Sequence, residues 1–498
     1  MGKRSRFSAL RWISLLLILS AVILFTLQLV RFSRLRSNFP DGMLIAGIPV
    51  GGLDRAASAQ RLLAAYTAVP IELHYGDAVI QINPSIAEFE LDLESMLAAA
   101  DLARSQNSFW VDFWNFLWGR TESPAEIPLR SSFSENRLKT YLDEEIASRY
   151  DQPPTSALPA VGTVNFQAGM EGTELDIDQS IDLIDNALKS TNRRIVDLPL
   201  KKTDPPRPSI QNLEILLKQT IDISEFDGLV GLYMLDLQNG EEIHFAYQQG
   251  ENYPTNPDVA FTAASIIKIP IMVSVFRRVG EDISEETKNL LELMIEKSGN
   301  DPADWVMEQV IDPTSAPIAI SEDLQQLGLD STFLAGQFYP GAPLLASFET
   351  PANTRTDVNT DPDIYSQTTP AEMGALLEDI YQCNRSGGGA LMAVFPGEFT
   401  QSECQTMLDY LSLNNIGLLI EAGVPDGTQV AHKHGWTTYF GVMTSLGDAA
   451  IVYTPGGNYV LVIFAYQPGE LIWEPTSELV SELSEAVYNY FNYSATAQ

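Results

Sequence analysis

The sequence is poor in the residues that hold metals and cofactors. Its 498 residues include two cysteines and four histidines. No His-Glu-x-x-His or Cys-x-x-Cys spacing groups them, so no metal is expected, even though His432 and His434 alternate along a strand. There is no Walker loop, no dinucleotide fingerprint and no Gly-x-Ser-x-Gly elbow, so no cofactor is expected either. Basic charge is scarce: 30 Lys and Arg stand against 65 Asp and Glu. Seven of the basic residues fall in the first 36 positions, where no acidic residue stands, so the remainder is more acidic still and repels nucleic acid and anionic lipid. Cys383 and Cys404, 21 positions apart, form one disulfide if the bulk of the chain lies outside the cytoplasm, or else are two buried thiols.

Apolar residues are plentiful, 45 % against 19 % charged, enough for packed cores in about three domains. Trp12 to Val30 runs 19 residues without a charge, which at about 1.5 Å per residue nearly crosses a ~30 Å hydrocarbon layer. No small-x-small cleavage site follows before Arg31, Arg34 and Arg36. Residues 1–40 therefore read as a cytoplasmic tip and an uncleaved anchor of a single-pass cell-membrane protein. Basic residues flank both ends, with Lys3, Arg4, Arg6 and Arg11 in front, so charge alone barely favours an inside N-terminus.

A small α+β region is expected over 41–203. Asp54 can cap a helix carrying Leu62, Leu63 and Tyr66, Ile71–His74 and Val79–Ile82 flank a Gly76-Asp77 turn, and Leu91–Ala103 reads as helix. Phe109, Trp110, Phe113, Trp114 and Leu117 repeat at helical spacing. Such a stripe suits a core better than a membrane-surface or glycan-stacking role, and core is the expectation. Ile181, Ile184 and Leu188 mark a further helix, and the proline-dense 204–212 marks a linker. GIPVGGLDRAASAQRL, FELDLESML, DQPPTSA and GTELDIDQSIDLI follow one another in order, and on them the region resembles the peptidoglycan-binding domain found in front of L,D-transpeptidase and vancomycin-resistance-associated cell-wall proteins. The resemblance implies a peptidoglycan partner and no chemistry; a plain spacer is the alternative.

Residues 213–498 read as one α+β domain. Leu229–Leu237 and Glu241–Tyr247 are strands joined over Asn239-Gly240, and the pattern is helical from Thr262 to about Leu411. Strands return at Tyr439–Thr444, Ala449–Tyr453 and Tyr459–Tyr466. A closing helix carries Leu479, Val480, Leu483, Val487 and Phe491 on one face. Strands from both ends with helices between imply one antiparallel sheet covered by helices.

Within TAASIIKIPIMVSVF, Ser265 and Lys268 stand one helical turn apart among apolar neighbours. Burial there lowers an amine's pKa, and a neutral amine can take the proton of a serine hydroxyl. The start of the helix adds partial positive charge where an oxyanion would form. Pro270 removes one hydrogen bond from that helix. One Ser-x-x-Lys in a chain this long is near chance, and Ser298-Gly299-Asn300 and Lys433-His434-Gly435 are equally weak singly. Their order is informative: Ser-x-Asn follows the first motif by 33 positions and Lys-x-Gly follows that by 135.

In that order the three motifs, with TTPAEMGALLEDIY and GDAAIVYTPGGNYVLVIFAY, resemble the class A β-lactamase and penicillin-binding serine hydrolase family. The resemblance implies an antiparallel sheet with an all-helical subdomain, Ser265 as nucleophile, Lys268 as its base, Ser298 as proton relay and Asn300 as a substrate-amide contact. It also implies Lys433, His434 and Gly435 beside the substrate carboxylate, and an oxyanion hole from the amides of Ser265 and Trp436. The substrate would be a β-lactam or a peptidoglycan-peptide amide, with D,D-peptidase activity within the family's range. Three positions depart from the pattern. Gly299 replaces an aspartate, and His434 replaces a small hydroxyl residue. Glu349, the nearest match to the deacylating glutamate, lies 51 positions after Ser298, farther than is usual. A slowly deacylating or non-catalytic wall-binding protein is the alternative.

Overall fold

The structure, a computed structural model, describes residues 4–120, 126–280, 283–414, 417–439 and 441–493; Lys3 and Phe440, both drawn on above, lie outside that set. The chain divides into two compact units, Met1–Pro154 with Glu171–Asp204, and Thr155–Met170 with Pro205–Gln498.

The first unit opens with helix α1 (Arg4–Arg36), whose stretch Arg11–Arg36 is long and apolar enough to cross a membrane. Helix α2 (Arg55–Tyr66) starts where the Asp54 carboxylate accepts the Ala57 N–H at 2.8 Å, satisfying one of the orphan donors of its first turn. Strands β1 (Ile71–Tyr75) and β2 (Ala78–Ile82) form the hairpin, followed by α3 (Leu93–Arg104), α4 (Phe109–Leu117) and α5 (Ile177–Leu188). Strand β3 (Ile195–Asp197) then adds to β1 in parallel. Buried Arg194 donates to the carbonyls of Val69 and Tyr66, both at 2.8 Å, closing the C-terminal end of α2 with a cation where the helix dipole is negative. The aromatic stripe on α4 departs from the core expectation. Phe113 is buried, but Trp110, Trp114 and Trp118 are exposed, because α4 packs only one face, against α1.

The second unit is built on a six-stranded antiparallel sheet. Helix α6 (Ile210–Ile223) leads into β4 (Leu229–Asp236), β5 (Glu242–Gln248) and β6 (Glu251–Asn252). Ser209 caps α6, so the last three residues of the expected linker are its first turn. Helices α7 (Lys268–Val279), α8 (Glu285–Ile295), α9 (Asn300–Val306), α10 (Ala316–Gln326), α11 (Pro370–Ser386) and α12 (Gln401–Leu411) follow. Strands β7 (Gln429–Tyr439), β8 (Val442–Tyr453) and β9 (Tyr459–Tyr466) and helix α13 (Trp473–Phe491) complete the unit. The order across the sheet is β6-β5-β4-β9-β8-β7, so strands from both ends of the unit meet in its middle.

Strand periodicity sorts side chains to the two faces. Leu229, Tyr233 and Leu235 pack under the helices α7 to α12, whereas Val230, Leu232 and Met234 pack with Leu213 and Leu217 of α6 and Leu483 and Val487 of α13. The hairpin formed by Leu158–Pro159 and Phe166–Gln167 joins this second core through Phe166, and Asn212 and Asn489 hold it by its Ala157 and Val164 carbonyls. Cys383 on α11 and Cys404 on α12 are disulfide-bonded, with Cα atoms 6.0 Å apart. Two expectations change. The strand expected over Tyr439–Thr444 is divided: β7, which carries His432 and His434 as expected, runs from Gln429 to Tyr439, and β8 starts at Val442. Residues 335–365, expected within the helical stretch, hold neither helix nor strand.

Candidate active site

The fold brings Ser265 and Lys268 together through a 3₁₀ turn, Ala264–Ile267, that runs directly into α7. Such a turn has about three residues per revolution, so residues i and i+3 eclipse; Lys268 Nζ stands 3.0 Å from Ser265 Oγ. Pro270 falls in the first turn of α7, where a missing N–H costs little. Ala264, just before the serine, has φ of 46°, a left-handed conformation that a side chain adopts only when its surroundings impose it. The imposing element is β7. A Cβ on Gly435 would stand 2.7 Å from Ser265 N, and its sheet partner Gly447 would meet Ile266 Cδ1 at 3.0 Å, so two facing glycines let the serine turn lie on the sheet.

Lys268 is fully buried, and it donates to the Ser298 carbonyl at 2.7 Å and to Asn300 Oδ1 at 2.9 Å. Burial, reinforced by the charge of Lys433 and opposed by Asp304, lowers its pKa to about 7. A neutral amine has two N–H groups and one lone pair. With both N–H groups taken by carbonyl oxygens, the lone pair remains for the Ser265 hydroxyl proton. Ser298, at φ 55°, links the two lysines: its Oγ is 3.5 Å from Lys268 Nζ and accepts from Lys433 Nζ at 3.0 Å. Burial, against the opposing charge of Asp448, brings Lys433 to about 8. The Gly299 departure has a steric cause, since a Cβ there would stand 2.8 Å from Cδ of Pro302.

His434 points to the other face of β7, with Trp436. Their rings stack at 5.1 Å between centroids, and Trp473 of α13 closes on Trp436 edge-on at 4.9 Å. Asn414 donates to Nδ1 of His434 at 3.0 Å, which leaves the ring proton on Nε2. Burial and then Lys433 hold this imidazole at about 4, so it is neutral at pH 7. Beneath it His432 meets two acceptors, the Asp448 carboxylate at Nδ1 (3.0 Å) and the Asn414 carbonyl at Nε2 (2.6 Å), so both ring nitrogens carry protons. Burial opposes that charge, but Asp448 outweighs it and raises the His432 pKa. Among the described residues no group of three or more His, Cys, Asp and Glu side chains converges as a metal site.

Glu349 makes no hydrogen bond or ion pair with this cluster. It is exposed, and among the described residues it has no hydrogen-bond or ion-pair partner. Asn353, four positions on, spends its amide on Phe348 O, Thr350 N and Gln367 within the loop. The ring set over Lys268 Nζ, 5.2 Å from its centroid, belongs to Phe338. Buried Asp304 accepts the Phe338 N–H at 2.8 Å and so fixes that ring. Sequence reasoning missed both residues. Asp304 had a signal, one helical turn after Asn300 on the same face; Phe338 sits in an aperiodic loop and had none.

The model of the beta-lactamase enzyme family matches residues 212–285 and 283–491, and that of a "Putative peptidoglycan binding domain" matches residues 98–197. Similar solved structures include a mutant of PBP-A in an acyl-enzyme complex with penicillin G, 21 % identical, covering 58 % of this chain and 99 % of its own, TM-score 0.41. A beta-lactamase from Desulfarculus baarsii DSM 2075 is 16 % identical, covering 57 % and 99 %, TM-score 0.42. Another from Sphaerobacter thermophilus DSM 20745 is 18 % identical, covering 55 % and 96 %, TM-score 0.39. No curated protein matches. With its family match spanning more than half of its length, the chain belongs to the beta-lactamase enzyme family.

Proposed function

We propose that the protein is a membrane-anchored, extracytoplasmic serine hydrolase, acylated at Ser265 by a β-lactam or a peptidoglycan-peptide amide. Residues 1–40 would anchor it, the region expected over 41–203, apart from the 155–170 hairpin, would hold peptidoglycan, 204–209 would link, and 210–498 would carry the chemistry. One observation carries the reading: a buried amine of pKa about 7, with both N–H groups engaged, lies 3.0 Å from the serine hydroxyl. Ser265 Oγ attacks the amide carbon as Lys268 takes its proton, and the amides of Ser265 and Trp436 receive the developing oxyanion. The C–N bond then breaks, with Ser298 delivering the proton to the departing nitrogen. Lys433 attracts the substrate carboxylate and Asn300 contacts the substrate amide, while His434, on the other face of β7, stacks on Trp436 and does not share that carboxylate.

Slow deacylation is favoured by the surroundings of Lys268. The ring of Phe338 covers it, and Glu349 is exposed with no hydrogen-bond or ion-pair partner among the described residues, which leaves deacylation without the expected glutamate base. The test follows adduct mass and penicillin hydrolysis together, for wild type, Ser265→Ala and Glu349→Gln. An adduct that persists for hours in wild type and Glu349→Gln alike, and is absent from Ser265→Ala, supports the reading. Turnover within seconds that Glu349→Gln abolishes returns Glu349 to the role of base and makes the protein an efficient β-lactamase.

A further inference from the structure

We infer that α4 lies in the membrane–water interface beside α1, as a second lipid contact of the first unit; the inference rests on the proposed anchoring of α1. Phe109, Phe113 and Phe116 turn toward α1. Phe113 stands 5.3 Å from Phe25, and Phe32 stands 5.3 Å from both Phe109 and Phe116. On the remaining surface Trp110, Trp114 and Trp118, spaced four apart and so on one face, are 56 %, 53 % and 73 % exposed. A water-facing helix surface carries charge, yet α4 has a single charged residue, Asp112, and Arg36 of α1 stands 3.6 Å from it.

The contacts with α1 set a depth. Phe25 lies five residues inside Val30, the end of the uncharged run, which is about 7.5 Å at a rise of ~1.5 Å per residue. Phe32 lies just outside that boundary. A helix held between those two rings sits where interfacial helices bury their apolar surface, about 5–10 Å deep, and where tryptophan is enriched. The acidic surface of the chain is repelled by anionic headgroups, so this contact is made by apolar insertion and not by charge.

The full chain in vesicles of phosphatidylcholine brominated at acyl carbons 6 and 7 tests this by tryptophan quenching. Of seven tryptophans, Trp12 reports the anchor, Trp110, Trp114 and Trp118 report α4, and Trp305, Trp436 and Trp473 belong to the second unit. Trp12→Phe should keep roughly three quarters of the wild-type quenching, and the Trp110→Phe, Trp114→Phe, Trp118→Phe variant roughly one quarter. Equal quenching of the triple variant and wild type, with Trp12 still quenched, would place the α4 tryptophans in water or on wall glycan and overturn the inference while leaving the anchor intact. No quenching of any tryptophan would overturn the anchor and the inference together.

Discussion

Replacing Gly435 by alanine presses a methyl group into the serine turn. The added Cβ would stand 2.7 Å from Ser265 N and 3.1 Å from both Ala264 Cβ and Ile266 N, all on a turn already held at positive φ. Ordinary contact needs about 3.5 Å, so strand and turn must part by roughly 0.8 Å. A displacement near 1 Å at a reacting group costs on the order of 10²-fold in rate, or about 2.7 kcal/mol of barrier. Overpacking costs roughly 1–3 kcal/mol of stability, which a domain of ordinary stability survives. The assay is the second-order acylation rate constant for a penicillin, read by quenched-flow mass spectrometry, with a melting curve as control. The expectation is a folded protein acylated about a hundredfold more slowly. Acylation within twofold of wild type would refute the claim that β7 sets the position of Ser265.

Four further outcomes follow from the charges of the site. Acylation should rise as pH passes about 7, where Lys268 loses its proton, and fall above about 8, where Lys433 loses its charge; a pH–rate profile checks this, and Lys268→Ala should abolish acylation without unfolding. Because the unfolded lysine keeps its proton to about 10.5, Lys268 also makes stability increase with pH between about 7 and 10.5, which denaturation of Lys268→Met should lack. Phe338→Ala admits water to Lys268, raising its pKa and moving the acidic limb up by roughly one unit, about five- to sixfold less acylation at pH 7. Asp448→Asn unpairs a buried imidazolium, at about 3 kcal/mol, or roughly 6–10 °C in Tm. The raised His432 pKa makes that loss full below about 6.5 and smaller as pH climbs through the folded value.

Local signals in the sequence were enough for much of this architecture. Asp54 before an apolar helix, Asn239-Gly240 between alternating runs, and the one-faced Leu479-to-Phe491 pattern each specify an element by short-range chemistry, and each element forms. Strand β7 was partly hidden because its polar residues find partners far away in sequence: Lys433 on Ser298, His432 on Asp448, His434 on Asn414. The aromatic stripe of α4 has the period of a core helix, and only the neighbouring α1 decides which rings are covered. In the candidate site, Ser265, Lys268, Ser298, Asn300 and Lys433 were legible from motif order. Asp304 had only its place one helical turn after Asn300 to mark it; Phe338, Asn414 and Asp448 act through contacts that no spacing records, and the position of Glu349 depends on a loop with no periodicity at all.

The most direct test of the central claim is to locate the acyl group. The full chain in detergent is mixed with a penicillin, quenched, digested and sequenced by mass spectrometry, beside Ser265→Ala treated alike. One equivalent of penicillin on the peptide that contains Ser265, absent from the variant, is the predicted result. A modified peptide elsewhere, or no adduct with several β-lactams and a peptide-stem thioester, would contradict the account and leave a wall-binding protein that performs no acyl transfer.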